Sequence, residues 1–187
     1  YTAIGQRQLP QAVFCTVLYP ENDDLPQPAT YICGKEKGRA NLRRILIMSK
    51  VAVVYWSSTG NTEAMANAVA DGIREKGGEA VLHTCEDFDG SKVAEYDAIA
   101  FGCPAMGDEV LEDTEFEPMF DGCKDALKGK NIALFGSYGW GDGEWMRNWE
   151  ESCKEAGADL VCDSVICADA PDDEAEAACI ALGKALC

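Results

Sequence analysis

The chain has 187 residues, which is enough for a single domain with a full hydrophobic core. Its formal net charge is −17, from 16 Lys and Arg against 33 Asp and Glu. Such an acidic surface repels nucleic acid and anionic membranes and favours basic protein partners. No apolar run approaches the roughly 18 residues of a membrane span, so we expect a soluble protein. We also expect it to be a monomer.

Ten cysteines are scattered along the sequence without a C-x-x-C pair, which favours free thiols over a disulfide framework. Cys103 and Cys162 end or interrupt apolar, strand-like runs, where a thiol behaves as a small hydrophobic group. The single histidine, His83, leaves little from which to build a zinc site, and we expect it to be structural. We therefore expect reduced thiols in a cytoplasm, such as that of an anaerobe.

Residues 1–47 differ in composition from the rest of the sequence. They contain four of the seven prolines and carry a charge of +2, so the remainder carries −19. The first methionine, Met48, directly precedes the first predicted strand. We expect the native domain to span 48–187, with 1–47 as an extension that is poorly ordered or foreign to it. The run Ala12–Tyr19 is only faintly similar to a signal peptide, because it lacks a small-x-small cleavage site.

From Met48 onward, predicted strands alternate with predicted helices. The first strand begins at Val51, and the spacing of Met65, Val69 and Ile73 predicts a helix after it. Further strands are predicted at 80–84, 96–102, 130–136 and, in two pieces, 159–161 and 165–167, with helices near 115–127, 144–156 and 173–186. This alternation predicts an α/β three-layer sandwich with parallel strands joined by right-handed crossovers. Ligands bind such a sheet at the carboxyl ends of its strands.

The first strand ends in a loop of hydroxyl and amide side chains that we expect to bind a phosphate. Its residues are Ser57, Ser58, Thr59, Gly60, Asn61 and Thr62. Neither the G-x-x-x-x-G-K-[ST] loop of nucleoside triphosphate sites nor the G-x-G-x-x-G dinucleotide loop is present, and no Lys or Arg stands between Trp56 and Glu63. Neutral donors suit a phosphate monoester held without a countercharge. The alternative is that these side chains only cap the helix.

Two more loops follow parallel strands and are expected to meet the first at the same edge of the sheet. One runs from Cys103 to Glu112, and the other from Ser137 to Trp145. Glycines on both sides of Trp140 favour an exposed aromatic side chain that stacks on a planar ligand, and Met106 offers a polarisable second wall. The alternatives are a tryptophan that covers its own helix and a methionine that fills a gap. A planar ligand with a phosphate monoester indicates flavin mononucleotide, FMN.

The three loops resemble those of the flavodoxins, in particular the short-chain, clostridial-type members. The motifs are S-S-T-G-N-T at 57–62, P-A-M-G-D-E at 104–109 and S-Y-G-W-G-D-G at 137–143. The resemblance covers 48–187 and none of 1–47, and 160–167 has no room for the inserted loop of long-chain members. It implies a five-stranded parallel sheet in the order 2-1-3-4-5 and a tightly bound, non-covalent FMN that cycles between quinone, semiquinone and hydroquinone.

The resemblance also implies roles for individual residues. Side chains of the first loop and the backbone N–H groups of Ser58 and Gly60 would hold the phosphate. Trp140 would stack on the outer face of the flavin ring and Met106 on its inner face. Glu109 would accept a hydrogen bond from ring N3, and Gly107-Asp108 would be a peptide that turns towards N5 on reduction. The expected cofactor-binding set is completed by Pro104, Ala105, Ser137, Tyr138, Gly139 and Gly141, with no catalytic residue and no metal ligand.

The predicted function is that of a low-potential one-electron carrier between redox enzymes. Five carboxylates are expected to crowd the flavin edge and to make an anionic reduced flavin less stable: Glu109, Glu112, Asp113, Glu115 and Asp142. Basic reductases and acceptor oxidoreductases would dock on this acidic rim. One alternative is an FMN-dependent NAD(P)H:quinone oxidoreductase, which a Trp140 lid disfavours. The other is a flavin-free signalling module, which would need an acidic cluster where Ser57 stands.

Overall fold

A computed structural model describes residues 48–187, so the predictions for 1–47 lie outside the described residues. The described part forms a parallel sheet with helices on both faces. Its strands are β1 Lys50–Tyr55, β2 Glu79–Thr84, β3 Ala98–Gly102, β4 Asn131–Tyr138, β5 Asp159–Leu160 and β6 Val165–Ala168. Its helices are α1 Asn61–Glu75, α2 Phe116–Cys123, α3 Glu144–Glu155 and α4 Asp173–Ala185. None of these helices has the length and apolar character needed to cross a membrane.

The strand order is β2-β1-β3-β4-β5, and every pairing is parallel, which confirms the predicted topology. β6 also pairs with β4, so β5 and β6 together occupy the fifth position of the sheet. The break between them covers 161–164, where Ser164 Oγ donates a hydrogen bond to Glu150 of α3 at 2.6 Å. The segment predicted as a fifth strand in two pieces is therefore two short strands with one shared neighbour.

Alternating residues of β1 pack against different helices, because both faces of a parallel sheet are covered. Val51 and Val53 belong to the core beneath α1 and α4. Ala52 and Val54 belong to the core beneath α2 and α3, which is rich in aromatic side chains. Edge-to-face contacts in this second core join Phe101, Phe116, Phe120 and Trp149. The two cores hold the strand ends, and hence the loops after them, in fixed positions.

Helix α1 is held against α4 by a very close backbone approach. A Cβ added to Gly72 would lie 2.1 Å from the carbonyl oxygen of Ile180, and one added to Gly183 would lie 2.1 Å from that of Val69. Because neither position has room for a side chain, glycine is required at both. This contact fixes α1, and with it the loop that precedes its first turn.

His83 has a structural environment, as expected from the sequence. Its Nε2 lies 2.7 Å from the hydroxyl of Tyr96, and its ring packs against Phe88 at 5.3 Å between centroids. Burial and the neighbouring Lys92 ammonium lower the pKa of His83. The neutral ring therefore joins β2 to the segment before β3.

The eight cysteines of the described part are free thiols, and most of them are buried. Burial raises the pKa of Cys85 and Cys153 to about 12 and that of Cys123 to about 11. These thiols therefore stay protonated and act as small hydrophobic groups. Cys15 and Cys33 lie outside the described residues.

Candidate functional site

The three predicted loops meet at the carboxyl edge of the sheet, where hydrogen bonds join them. Thr62 Oγ1 lies 3.4 Å from Ser137 Oγ, and both side chains are buried, so the first loop contacts the end of β4. The backbone N–H of Ala105 donates to the Ser137 carbonyl at 2.9 Å, which joins the second loop to the third. Ser137 is therefore the residue around which the three loops are assembled.

The first loop leaves the N-terminus of α1 without a cap. Gly60 precedes the helix with a left-handed φ of 91° and has no side chain with which to cap it. The N–H groups of Asn61, Thr62 and Glu63 have no intrahelical partner, because the first N–H groups of any helix lack one. No side chain of the described residues accepts a hydrogen bond from them. The Gly60 N–H, expected to bind the phosphate, donates to Ser57 Oγ at 3.1 Å in this structure. Free N–H groups at the start of a helix are donors of the kind that bind anions.

The other three helices of the described part begin on carboxylates supplied by the chain itself. Glu112 caps α2, and its carboxylate accepts N–H bonds from the residues leading into that helix and from its first residue at 2.8 to 3.0 Å. Asp172 caps α4 and accepts from the Ala175 N–H at 2.9 Å. Glu109 caps α3 and accepts the N–H groups of 142–144 at 2.8 to 3.2 Å through one oxygen, Oε1. A negative charge stabilises each of these N-termini.

The second loop is a closed hairpin with an exposed tip. The N–H of Met106 donates to the Val110 carbonyl at 2.8 Å, and the N–H of Val110 donates back to Met106 at 3.0 Å. Between them, Gly107 has a φ of 46° and Glu109 a φ of 53°, which is uncommon for a residue with a side chain. Asp108 is exposed. The Gly107–Asp108 peptide therefore lies outside the hydrogen bonds that close the hairpin.

The third loop presents Trp140 with 60 % of its surface exposed, which agrees with the exposure expected from the sequence. Gly139 and Gly141 flank it, and Gly141 has a φ of 97°. A Cβ added to Gly141 would lie 2.2 Å from the Glu109 carboxyl carbon, so a side chain there would displace Glu109 from α3. The glycine therefore allows the second and third loops to contact each other.

The remaining predicted site residues belong to the same three loops. Ser58 and Thr59 are exposed at the tip of the first loop, and Pro104 and Ala105 are half-buried at the base of the second. Tyr138 is half-buried, and its ring lies 5.5 Å from that of Trp145.

A fourth loop borders the site and was not predicted from the sequence. Asp169 follows β6 with a φ of 56°, and its Oδ1 lies 3.9 Å from the position that a Cβ on Gly139 would take. Its N–H donates to the Tyr138 carbonyl at 2.8 Å. The sequence signal that could have indicated this loop is its position directly after a predicted strand. The left-handed φ of Asp169 itself corresponds to no sequence pattern.

The five carboxylates predicted at the flavin edge are less free than the sequence indicates. Glu109 and Glu112 are buried helix caps, as described above. Asp142 forms an ion pair with Arg147 at 2.6 Å, and Glu115 accepts a hydrogen bond from Trp56 Nε1 at 2.7 Å. Sequence alone does not reveal these partners, because they lie 5 to 59 residues away.

Within residues 48–187, positive charge is concentrated at the opposite edge of the sheet. Eight of the ten Lys and Arg residues of the described part lie next to the amino ends of strands or the carboxyl ends of helices: Lys50, Arg74, Lys76, Lys124, Lys128, Lys130, Lys154 and Lys184. Arg147 stands near the three loops, paired with Asp142. We call the carboxyl edge of the sheet, where Glu109, Glu112, Glu115 and Asp142 lie, the acidic pole.

Comparison with known proteins agrees with this geometry. The family model described as Flavodoxin matches residues 53–183. The flavodoxin of Clostridium beijerinckii is 47 % identical over 132 residues, 71 % of this chain and 95 % of its own. That of Megasphaera elsdenii is 44 % identical over 135 residues, 72 % and 96 % of the two chains.

The solution structure of two-electron reduced Megasphaera elsdenii flavodoxin matches with a TM-score of 0.68 at 44 % identity, over 73 % of this chain and 97 % of that one. Its fold agrees with the strand order found here. The chain therefore belongs to the flavodoxin family, whose members bind FMN and carry electrons.

Proposed function

We propose that this protein is a low-potential one-electron carrier that holds FMN non-covalently across the three loops at its acidic pole. FMN, when bound, accepts and returns electrons one at a time. The observation that carries the proposal is the uncapped N-terminus of α1, in a chain that caps its other three described helices with carboxylates. A negatively charged group of the ligand would accept hydrogen bonds from the backbone N–H groups at the start of that helix.

The phosphate would be held without a cation. The side chains of Ser57, Thr59, Asn61 and Thr62 and the free N–H groups at the start of α1 offer neutral donors for its oxygens. No Lys or Arg occurs in the first loop. A phosphate in this position would also receive the positive end of the helix dipole.

The flavin ring would lie between the second and third loops. Trp140 is exposed and free to stack, and Met106 stands at the base of the hairpin that contacts the same loop through Glu109. Oε1 of Glu109 accepts three N–H groups, which leaves Oε2 for ring N3. The Gly107–Asp108 peptide, outside the hairpin bonds, would supply the carbonyl that turns towards N5.

Visible absorbance and redox titration of the purified full-length chain test this assignment. We expect a yellow protein whose flavin is reduced in two separate steps, the second at low potential. Apoprotein made from the same chain should bind FMN much more tightly than riboflavin, which lacks the phosphate. Equal affinity for the two flavins would contradict the phosphate site, and absence of flavin binding would favour a flavin-free module.

Partners would be basic redox enzymes that dock on the acidic pole. The separation of charge between the two edges orients the molecule in the field of a basic surface, so that the flavin edge arrives first. We expect association with such an enzyme to slow steeply as salt is added, because the attraction acts over more than a Debye length. An association rate that is indifferent to salt would contradict this docking mode.

We propose further that the protein has no substrate of its own. A hydride-transferring oxidoreductase needs an open flavin face, and a Trp140 indole stacked on the ring as proposed would cover one. Steady-state turnover of NADH or NADPH with a quinone separates the two functions. Turnover far above that of free FMN would show an enzyme, whereas a carrier should reach the free-flavin rate at most.

The free thiols of the described part favour a reducing compartment, and we propose a cytoplasmic protein. A monomer is favoured because few large apolar side chains of the described part are exposed: Met48, Val110, Trp140 and Ile166. Light scattering of the full chain with FMN bound tests the oligomeric state.

A further inference from the structure

The position of Trp140 is set by its backbone, because its side chain has no fixed partner. The indole is 60 % exposed and makes no hydrogen bond within the described residues. Gly139, Gly141 and Gly143 surround it, and glycine restricts the backbone least of all residues. Whatever holds the backbone of 141–144 therefore holds the indole as well.

Two side chains hold this backbone through different groups. Glu109 accepts its N–H groups, as described above. Arg147 Nη1 donates to the Asp142 carbonyl at 2.9 Å, and Nη2 donates to the Asp142 carboxylate at 2.6 Å. The Arg147 guanidinium also lies against Gly143, 3.7 Å from the position of a Cβ there. The loop is thus held between a carboxylate and a guanidinium.

We propose that Arg147 is a positioning residue, which fixes the loop 139–143 through Asp142 so that the Trp140 indole is ready to stack on the flavin. This proposal rests on the proposed function, because it assumes that Trp140 contacts the ring. The role does not require Arg147 to touch the ring or the phosphate. It acts through the carbonyl and the carboxylate of Asp142, one residue before the N-cap glycine of α3.

This role of Arg147 would depend on the geometry of its guanidinium rather than on its charge. A guanidinium presents two N–H groups in a rigid fork, and here the fork joins a main-chain oxygen to a side-chain oxygen of the same residue. A lysine ammonium is a single point with three rotatable donors, so it keeps the charge but loses the fork. The two explanations therefore predict different behaviour for Arg147→Lys.

The test compares Arg147→Lys and Arg147→Gln with the wild-type chain and with Lys154→Gln. Lys154 is a matched control, because it makes an exposed ion pair with Glu150 on the same helix, away from the loops. Amide hydrogen exchange of peptides covering 141–144 reports the loop, both with FMN and without it. Dilution of FMN-loaded protein, followed by recovery of free flavin fluorescence, reports the dissociation constant.

We expect faster exchange at 142–144 and an FMN dissociation constant about 3- to 10-fold higher in both Arg147 variants, the range of surface fork contacts. Lys154→Gln should match the wild type in both measurements. A lysine variant equal to the wild type would overturn the proposal in favour of charge alone. Faster exchange with unchanged affinity, or no change in either, would also overturn it.

The failure of the proposed function is recognised separately through Trp140→Ala. If Trp140 does not contact the flavin, this variant keeps the FMN affinity of the wild type. If only the role of Arg147 fails, Trp140→Ala binds FMN more weakly while Arg147→Lys binds it normally. In either case, amide hydrogen exchange reports how firmly the backbone of 141–144 is held.

Discussion

Two helices of this protein begin with the same backbone geometry but differ in what lies at their N-termini. Both α1 and α3 follow a strand-end loop and start after a glycine in the left-handed region, Gly60 with a φ of 91° and Gly143 with a φ of 90°. The N-terminus of α3 is occupied by the Glu109 carboxylate from another loop. No carboxylate of the described residues accepts a hydrogen bond from the N-terminus of α1. Residues 48–187 thus cap α3 themselves and leave the N-terminus of α1 open, where we propose that the phosphate binds.

If the phosphate binds the N-terminus of α1 as proposed, the difference marks a position where the protein loses stability in favour of binding. A carboxylate at the start of a surface helix is worth about 0.3 to 1 kcal/mol, which α1 forgoes in the FMN-free state. Because FMN binds the folded chain and not the unfolded one, its binding raises the free energy of unfolding and offsets this loss. Exchanging or removing the caps of these helices separates the effect of a cap on stability from its effect on FMN binding.

The largest effect is expected from placing a carboxylate at the N-terminus of α1. Thr59→Asp would put a negative charge beside a phosphate that carries about −1.5 to −2 charges itself. Two unit charges 4 Å apart near a protein surface repel by about 4 kcal/mol. We expect FMN affinity to fall by at least about 100-fold, measured by flavin fluorescence titration of the apoprotein.

Thr59→Asn is the matched control, since it adds a side chain of similar size without charge. Riboflavin provides a second control, because it lacks the phosphate. Its affinity should change little in Thr59→Asp, so that the preference for FMN over riboflavin collapses. If Thr59→Asp lowered the affinity for both flavins equally, the first loop would not be a phosphate site.

Helix α1 was predictable from the sequence, whereas the caps of α2 and α3 were not. The spacing of Met65, Val69 and Ile73 predicts α1, and all three side chains are fully buried. The cap of α3 comes from Glu109, about 35 residues earlier in the chain. Local patterns capture the contacts that a helix makes with its own face. They do not capture a contact that depends on two loops folding together.

The same reasoning explains what the sequence does not show about charge at the acidic pole. The sequence places Glu112 with four other carboxylates near the expected flavin edge. The structure adds that its side chain is buried at the start of α2, where its Oε2 accepts N–H bonds from Glu115 and Phe116. Composition counts the charges correctly, but the potential of the flavin depends on which charges lack partners. Only the tertiary structure shows that.

The second largest effect is expected on stability, from removal of the α2 cap. Glu112→Ala leaves several N–H groups of a buried helix start without an acceptor, which costs about 2 to 3 kcal/mol. Burial raises the pKa of Glu112, but hydrogen bonds from Thr114 and from the N–H groups of 114–116 outweigh it, so the pKa lies below 4.5. Urea unfolding at a series of pH values measures the effect.

The sign of the pH dependence follows from this depressed pKa. The unfolded chain takes up the proton first, so Glu112 contributes its stability above about pH 4.5, and that stability is lost as pH falls through the folded pKa. Glu112→Ala should therefore be destabilised most near neutral pH and should approach the wild type in acid. A constant difference at every pH would mean that the ionised carboxylate is not the source.

A smaller effect, on binding and stability together, is expected at the α3 cap. Glu109→Ala removes the acceptor of three N–H groups and separates the second loop from the third. We expect FMN affinity to fall by about 10-fold, equal to one good hydrogen bond, together with a measurable loss of stability. Gly141→Ala should act similarly, because its Cβ would displace the same carboxylate. If Gly141→Ala bound FMN normally, the contact between the loops would not matter for the flavin.

The smallest effect is expected at the α4 cap, which has the same chemistry at a helix outside the three loops. Asp172→Ala removes the acceptor of the Ala175 N–H and should cost about 1 kcal/mol of stability, while Asp172→Ser should recover most of it. FMN affinity and potentials should stay at the wild-type values in both variants, as measured in the titrations above. If Asp172→Ala weakened FMN binding as much as Glu109→Ala, then caps would act on the flavin through global stability. The difference between the ligand's helix and the self-capped ones would then lose its functional meaning.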